Sequence, residues 1–283
     1  MKSITLLFLL FALGQQLAAQ KELNVMTFNI RYDNKGDSLN AWSYRKDKAA
    51  SQVRFHKVHL LGVQEALYNQ LEDMKAQLPS HKFVGIGRAD GKQKGEFSAI
   101  FYDTLRLQLL QTETFWLAEQ TNVPGAKGWD AAIERIVTWA KFKDRVTKKT
   151  FYHFNTHFDH IGKEARRQSA RLLVQKVQEI GGKNPCIVTG DFNATPIDEP
   201  IQILTSASTP HFLYDTKVLS KQPHYGPTGT FNAFRAKETS DEPIDYIFLN
   251  RKMPVLQHAT LSQTWQGRFS SDHFPVFAVL VLE

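Results

Sequence analysis

The chain has 283 residues, 42% of them hydrophobic and 22% charged, with 16 glycines and 11 prolines; this is a globular make-up, not a collagen-like or disordered one. A chain of this length buries most of its apolar surface without covalent staples. Its single cysteine, Cys186, excludes both a disulfide framework and a cysteine-based zinc site. The net charge of +7 comes from scattered lysines and arginines with no run of five, which is compatible with a polyanionic ligand but does not assign one.

In chain order, the first 19 residues stand apart. Lys2, the apolar stretch Ile4–Leu13 broken only by Thr5, and Leu17-Ala18-Ala19 predict a signal peptide at 1–19. The stretch is too short to span a bilayer core of about 30 Å. The remainder, 20–283, has no linker or repeat and is expected to be one domain, periplasmic or secreted, monomeric, with no transmembrane segment after signal removal.

Leu23–Ile30 reads as a strand, followed by a polar loop over 31–40. Arg45–Val58 is helical in composition, Leu60–Gln64 is a short buried strand, and Leu67–Leu78 is a helix stopped by Pro79. Phe83–Gly87, Ser98–Tyr102 and Leu107–Leu117 read as strands. Ile133–Lys143 and Thr150–His157 alternate apolar and polar residues with the period of half-buried strands. Lys163–Ile180 places Ala165, Ser169, Leu172, Leu173, Val177 and Ile180 on one helix face and stops at Gly181-Gly182. Pro185–Thr189, Ile244–Leu249, Val255–Leu261 and Pro275–Leu282 complete the strands. Many strands with few, widely spaced helices predict two packed sheets with helices outside.

Polar residues recur where these strands end: Asn29, Glu65, His157, Asp191 with Asn193, Asp245, and Asp272 with His273. Any one of them could be a turn former; the set is chemically coherent. Carboxylate and amide oxygens without thiolates suit a hard cation such as Mg²⁺, Mn²⁺ or Ca²⁺. An Asp–His pair fixes an imidazole tautomer, and Asn and His can donate to an anionic transition state. Together they suit metal-assisted attack of water on a phosphate ester.

From Leu23 to the C-terminus the sequence resembles the endonuclease/exonuclease/phosphatase superfamily, the metal-dependent phosphoesterases related to DNase I, with a flavour of its deadenylase-like group. The resemblance rests on Thr27-Phe28-Asn29-Ile30-Arg31, Gln64-Glu65, Asn155-Thr156-His157, Gly190-Asp191-Phe192-Asn193, Ile244-Asp245-Tyr246 and Ser271-Asp272-His273, in that order. It implies a four-layer α/β/β/α sandwich of two mixed sheets flanked by helices, with the site where strand ends converge. It further implies Glu65 as the principal ligand of Mg²⁺ or Mn²⁺ (one ion or two), with Asn29 beside it and Asp272 near the metal. Asp191 would orient or activate water, or assist the leaving group, and Asn193 would position it. His157 would bond phosphoryl oxygens, and Asp245 would pair with His273 as acid/base or phosphate donor.

Further candidate substrate contacts are Arg135, read as lying in a strand, and Trp42, Arg45, His160 and Phe231. All but Arg45 have a plainer alternative: a buried ion pair for Arg135, a surface loop for His160, core packing for Trp42 and Phe231. The expected activity is hydrolysis of phosphate esters, of phosphodiesterase or nuclease type with possible nucleic-acid substrates. The alternatives are a small-molecule phosphomonoesterase for inositol or sugar phosphates, or a non-catalytic binding module on the same fold.

Overall fold

A computed structural model describes residues 21–235 and 241–282; the expected signal peptide at 1–19 lies outside them. The strands are β1 (Glu22–Asn29), β2 (Leu60–Ala66), β3 (His81–Val84), β4 (Phe97–Asp103), β5 (Leu107–Trp116), β6 (Ile136–Asp144), β7 (Thr150–His157), β8 (Cys186–Asp191), β9 (Tyr214–Asp215), β10 (Asp245–Leu249), β11 (Val255–Thr260) and β12 (Val276–Val281). The helices are α1 (Lys46–Phe55), α2 (Tyr68–Gln77), α3 (Lys163–Gly181), α4 (Glu199–Thr205) and α5 (Thr216–Leu219). Two six-stranded mixed sheets form, ordered β11-β12-β1-β2-β4-β3 and β5-β6-β7-β8-β10-β9. Among the described residues no helix is long and apolar enough to cross a membrane.

Period-two alternation decides the layering. Met26, Phe28, Leu61 and Val63 point outward and pack with Ala49, Val53, Leu71 and Met74 of α1 and α2. Phe154 and Val188 likewise meet Leu173 and Val177 of α3. Leu23, Val25, Leu60, Phe151, Ile187 and Ile247 point inward, into the seam between the sheets. The architecture is therefore helix, sheet, sheet, helix, as expected of the sequence.

Along each central strand the seam-facing residues grow more polar toward one end. β1 runs Leu23, Val25, Thr27, Asn29; β7 runs Phe151, His153, Asn155, His157; β8 runs Ile187, Thr189, Asp191. Such buried polar groups persist only if bonded, and each of these side chains has a partner, though His153 Nδ1 and His157 Nδ1 have none. Asn155 Nδ2 donates to the carbonyls of Val63 (2.8 Å) and Ala99 (2.9 Å) across the seam. Its Oδ1 accepts from Gln64 Nε2 (2.6 Å) and Thr189 Oγ1 (2.9 Å). Gln64 also donates to Thr27 Oγ1 (3.0 Å), and His153 Nε2 meets Thr189 Oγ1 at 2.8 Å. The sheets approach so closely here that a Cβ on Gly62 would lie 2.2 Å from Thr189 Oγ1 and 2.4 Å from Asn155 Oδ1.

The crosslink sits at a defect. The β2–β4 register shifts between Val63 and Ala66, a bulge in which Glu65 takes φ +60°. A bulge leaves ladder groups unpaired and re-aims a side chain. The Asn155 amide takes up the carbonyls of Val63 and Ala99 at this point, and Glu65 turns toward the cleft. Asn155→Ala would take the side-chain donor from both carbonyls and the acceptor from one Gln64 N–H, so we expect a loss of at least about 2 kcal/mol in urea unfolding; a loss under about 0.5 kcal/mol would mean the crosslink carries no weight.

Candidate active site

Topology brings the strand ends together. β1 and β2 are parallel, as are β7 and β8, so Asn29, Glu65, His157 and Asp191 finish at one end of the sandwich. β10 and β12 are antiparallel to their neighbours, which places their beginnings at that same end. Asp245 pairs in register with Asp191, and Asp191 with His157. The segment before β12 is pinned by Ser271 Oγ donating to Asn29 O (2.7 Å), Asn232 N donating to Asp272 O (2.7 Å) and Phe274 N donating to Thr230 O (2.6 Å). Residues as far apart as Arg31 and His273 thus share one cleft, of about 360 Å³, lined by Glu65, His157, Asp191, Asn193, Asp272 and His273 among others.

His273 Nδ1 lies 2.9 Å from Asp245 Oδ2, and its Nε2 lies 3.8 Å from Asp191 Oδ2. Burial opposes the imidazolium, but Asp245, Asp191 and Asp272 outweigh it and hold the His273 pKa well above the ordinary value. Asp191 is pushed up to about 7 by burial and by Asp245, against the pull of His273. Its Oδ2 accepts from Asn29 Nδ2 at 2.9 Å and its Oδ1 from Asn193 N at 2.9 Å. Asn193 adopts φ +46°, a conformation that asparagine tolerates. Its Nδ2 donates to Phe158 O (3.0 Å) and meets His157 Nε2 at 3.0 Å. Burial, with Arg135 and Arg88 nearby, lowers the His157 pKa well below normal, so this imidazole is neutral.

The donor set fits a hard cation. Glu65 and Asp272 are both half or more buried at the cleft, and burial followed by repulsion from Glu65 raises the Asp272 pKa. Arg31 bridges the pair, with Nη1 3.8 Å from Glu65 and Nε 3.7 Å from Asp272, and His273 and Arg45 also offset the Asp272 charge. Oxygen donors without sulfur select Mg²⁺, Mn²⁺ or Ca²⁺. Asp191, Asp245 and His273 form a second group with ligand atoms within 4.8 Å of one another. In that group the His273 Nδ1 is already committed to Asp245 Oδ2.

Two expectations need correction, whereas Asn29 lies beside Glu65 as expected: it presents its amide N–H to Glu65 (3.0 Å) and Asp191, and its Oδ1 accepts from Arg31 N (3.0 Å). Trp42 is buried between α1 and α2 and donates to Asp73 Oδ2 (2.8 Å), so it cannot stack a ligand. Arg45, 1% exposed, clamps loop carbonyls, donating to Ile30, to Arg31 (2.7 Å) and to Asn40 (2.8 Å).

Arg135 lies just ahead of β6, not within it. The structure holds its plainer alternative, a buried ion pair: Nε is 3.4 Å from Asp159 Oδ2 and Nη2 is 3.0 Å from His160 Nδ1, while buried Nη1 has no partner and the residue lines the cleft. His160 and Phe231 also line the cleft, the Phe231 ring edge-on to His273 at 5.0 Å. Arg31, Tyr32 and Glu96 line it too and were not singled out as contacts. Arg31 was within reach of the sequence, closing the Thr27–Arg31 motif; Glu96 had no such signal.

A two-sheet sandwich whose strand ends converge carboxylates, amides and an Asp–His pair on one cleft defines a phosphoester hydrolase. The Endonuclease/Exonuclease/phosphatase family profile matches residues 26–273, and the chain belongs to that family. It is 41% identical to an endonuclease/exonuclease/phosphatase from Bacteroides vulgatus, covering 93% of this chain and 99% of that one with a TM-score of 0.88. It is 38% identical to a mannosyl-6-phosphatase from Bacteroides thetaiotaomicron, covering 92% and 100%, with a TM-score of 0.87. An uncharacterized protein of Acanthamoeba polyphaga mimivirus is 26% identical over 181 residues, 61% of this chain and 66% of that curated relative, just under two thirds of its length.

His273→Ala should lower kcat by about 10²–10⁴-fold with little change in KM. The Asp245→Asn/His273→Ala double variant should fall well short of the product of the single losses, since the two act as one unit. Normal turnover per folded molecule in either single variant would remove the pair from the chemistry.

Proposed function

We propose that the protein is a Mg²⁺- or Mn²⁺-dependent phosphatase acting on phosphate monoesters of sugars. The observation that carries this reading is the compact cleft, near the small end of the roughly 300–1,000 Å³ range of small-molecule pockets. Arg31, Arg135 and the charged His273 face it alongside Glu65, Glu96, Asp191 and Asp272, so cationic groups for a monoester dianion stand beside carboxylates that would hold a metal ion. The likeness to the mannosyl-6-phosphatase supports the same substrate class. The nuclease-type diesterase is the alternative reading, and the leader-like residues 1–19 support a periplasmic or secreted setting.

In this proposal Glu65 and Asp272 hold the cation. When bound, it polarises the phosphoryl oxygen and offsets the charge gathering there. Arg135 donates its free N–H to the phosphate, and Asn29 keeps Glu65 and Asp191 in register. Asp191, with a pKa brought to about 7, takes a proton from the attacking water at neutral pH. His273, held in one orientation by Asp245, donates from Nε2 to a phosphoryl oxygen as negative charge builds up. The water oxygen bonds to phosphorus as the bond from phosphorus to the ester oxygen breaks, the departing oxygen takes a proton from solvent, and the sugar alcohol and inorganic phosphate leave while Asp191 returns its proton to solvent.

The test is a comparison of hexose 6-phosphates, bis-(p-nitrophenyl) phosphate and single-stranded RNA under Mg²⁺ or Mn²⁺. The monoester should lead by at least about 100-fold in kcat/KM, and EDTA should abolish turnover. Arg135→Ala should raise KM for the monoester by about 10–100-fold, the loss of one charge-assisted contact. Preference for either diester would overturn the monoesterase reading, and full activity in EDTA would overturn the metal.

A further inference from the structure

A second cavity lies away from the active site. It encloses about 490 Å³, against about 360 Å³ for the active-site cleft, and the two share no lining residue. It opens beside β11, the edge strand of the first sheet, between the end of α1 and the segment 222–225.

Two aromatic rings stand over it almost unburied: Phe55 is 81% exposed and Tyr225 is 70% exposed. Neither is loosely held. Tyr225 N donates to His258 O (3.1 Å), and Thr260 N donates to Tyr225 O (2.9 Å), so its backbone is stitched to the sheet edge. Gly226 follows with φ +92°, where a Cβ would fall 2.0 Å from Thr260 O; only glycine allows this approach. His224 donates from Nε2 to Pro227 O (3.0 Å) and accepts at Nδ1 from His258 (2.9 Å), fixing the turn. On the opposite wall Phe55, His56 and Phe277 form a ladder of rings with centroids 5.1 and 5.3 Å apart.

The polar groups around these rings are amides: Gln222, Gln257 and Gln263. No Lys, Arg, Asp or Glu lines the cavity, although the chain carries a net charge of +7. Burial lowers the pKa of His56 and, with His224, brings that of His258 down to about 3, so His258 adds no charge at neutral pH. Rigid exposed rings with neutral two-way hydrogen-bonding groups between them match one ligand chemistry well. A pyranose offers apolar C–H faces to the rings and hydroxyls that both donate and accept to the amides.

We propose that this cleft is a binding site for an uncharged saccharide, separate from the phosphate-handling site. The site would hold a glycan near the enzyme whichever phosphate ester is hydrolysed, so the proposal does not depend on the monoesterase reading.

The experiment titrates the full protein with mannotetraose, cellotetraose and maltotetraose, read by calorimetry and saturation-transfer NMR. At least one should bind with a Kd of about 1 mM or tighter. The Phe55→Ala/Tyr225→Ala variant should weaken that Kd at least about tenfold, with its melting temperature and its hydrolysis of bis-(p-nitrophenyl) phosphate unchanged. The proposal is overturned if no tetrasaccharide binds below about 10 mM, or if binding survives in the variant. It is also overturned if sedimentation shows a wild-type dimer that the variant dissolves, since the rings would then serve a protein contact.

Discussion

The amide of Asn155 holds this site together from below. A bulge that swings a carboxylate out of a strand leaves unpaired carbonyls in the most closely packed part of the molecule. Asn155, coming from the other sheet, bonds the carbonyls of Val63 and Ala99 and accepts from Gln64 and Thr189. The two sheets are thereby fixed in register at the point where Glu65 leaves the ladder. An apolar residue at 155 would fill the space but leave the bulge unsupported, and buried unpaired polar groups are costly.

Above that crosslink the seam turns from oil to charge within two residues of each strand. The consequence is electrostatic. Asp191, Asp245, Asp272 and Glu65 crowd one end of the sandwich, offset by His273, Arg31 and Arg135. The neighbouring carboxylates keep a proton on His273 against its burial, while burial and Asp245 bring Asp191 to titrate near neutrality. A site that needs both a donor and an acceptor for protons at one pH is obtained from position alone. Arg31, reaching toward Glu65 and Asp272, marks where the field most favours a cation.

Much of this was legible in the residues. Alternation along Thr150–His157 assigned a strand and put Phe151, His153, Asn155 and His157 on one face, and the α3 boundaries follow from its apolar stripe and its terminal glycines. The convergence of strand ends could be expected because each motif closes an apolar run. Other features were hidden for physical reasons. The partners of Asn155 lie 92 and 56 residues away, and no local pattern announces a bulge at Glu65. Trp42 and Arg45 looked like ligand contacts because a polar loop precedes them, yet tertiary packing buries both and uses Arg45 to tie that loop down. Helix α4 went unassigned, because seven residues with Pro200 in the first turn give too short a periodicity to see.

The account turns on Glu65, set by the bulge, being the place where the cation is held. Anomalous diffraction from crystals grown with Mn²⁺ tests this most directly. The account predicts a peak at the carboxylates of Glu65 and Asp272, lost in Glu65→Gln. A peak confined to Asp191, Asp245 and His273, or one that persists unchanged in Glu65→Gln, would contradict it.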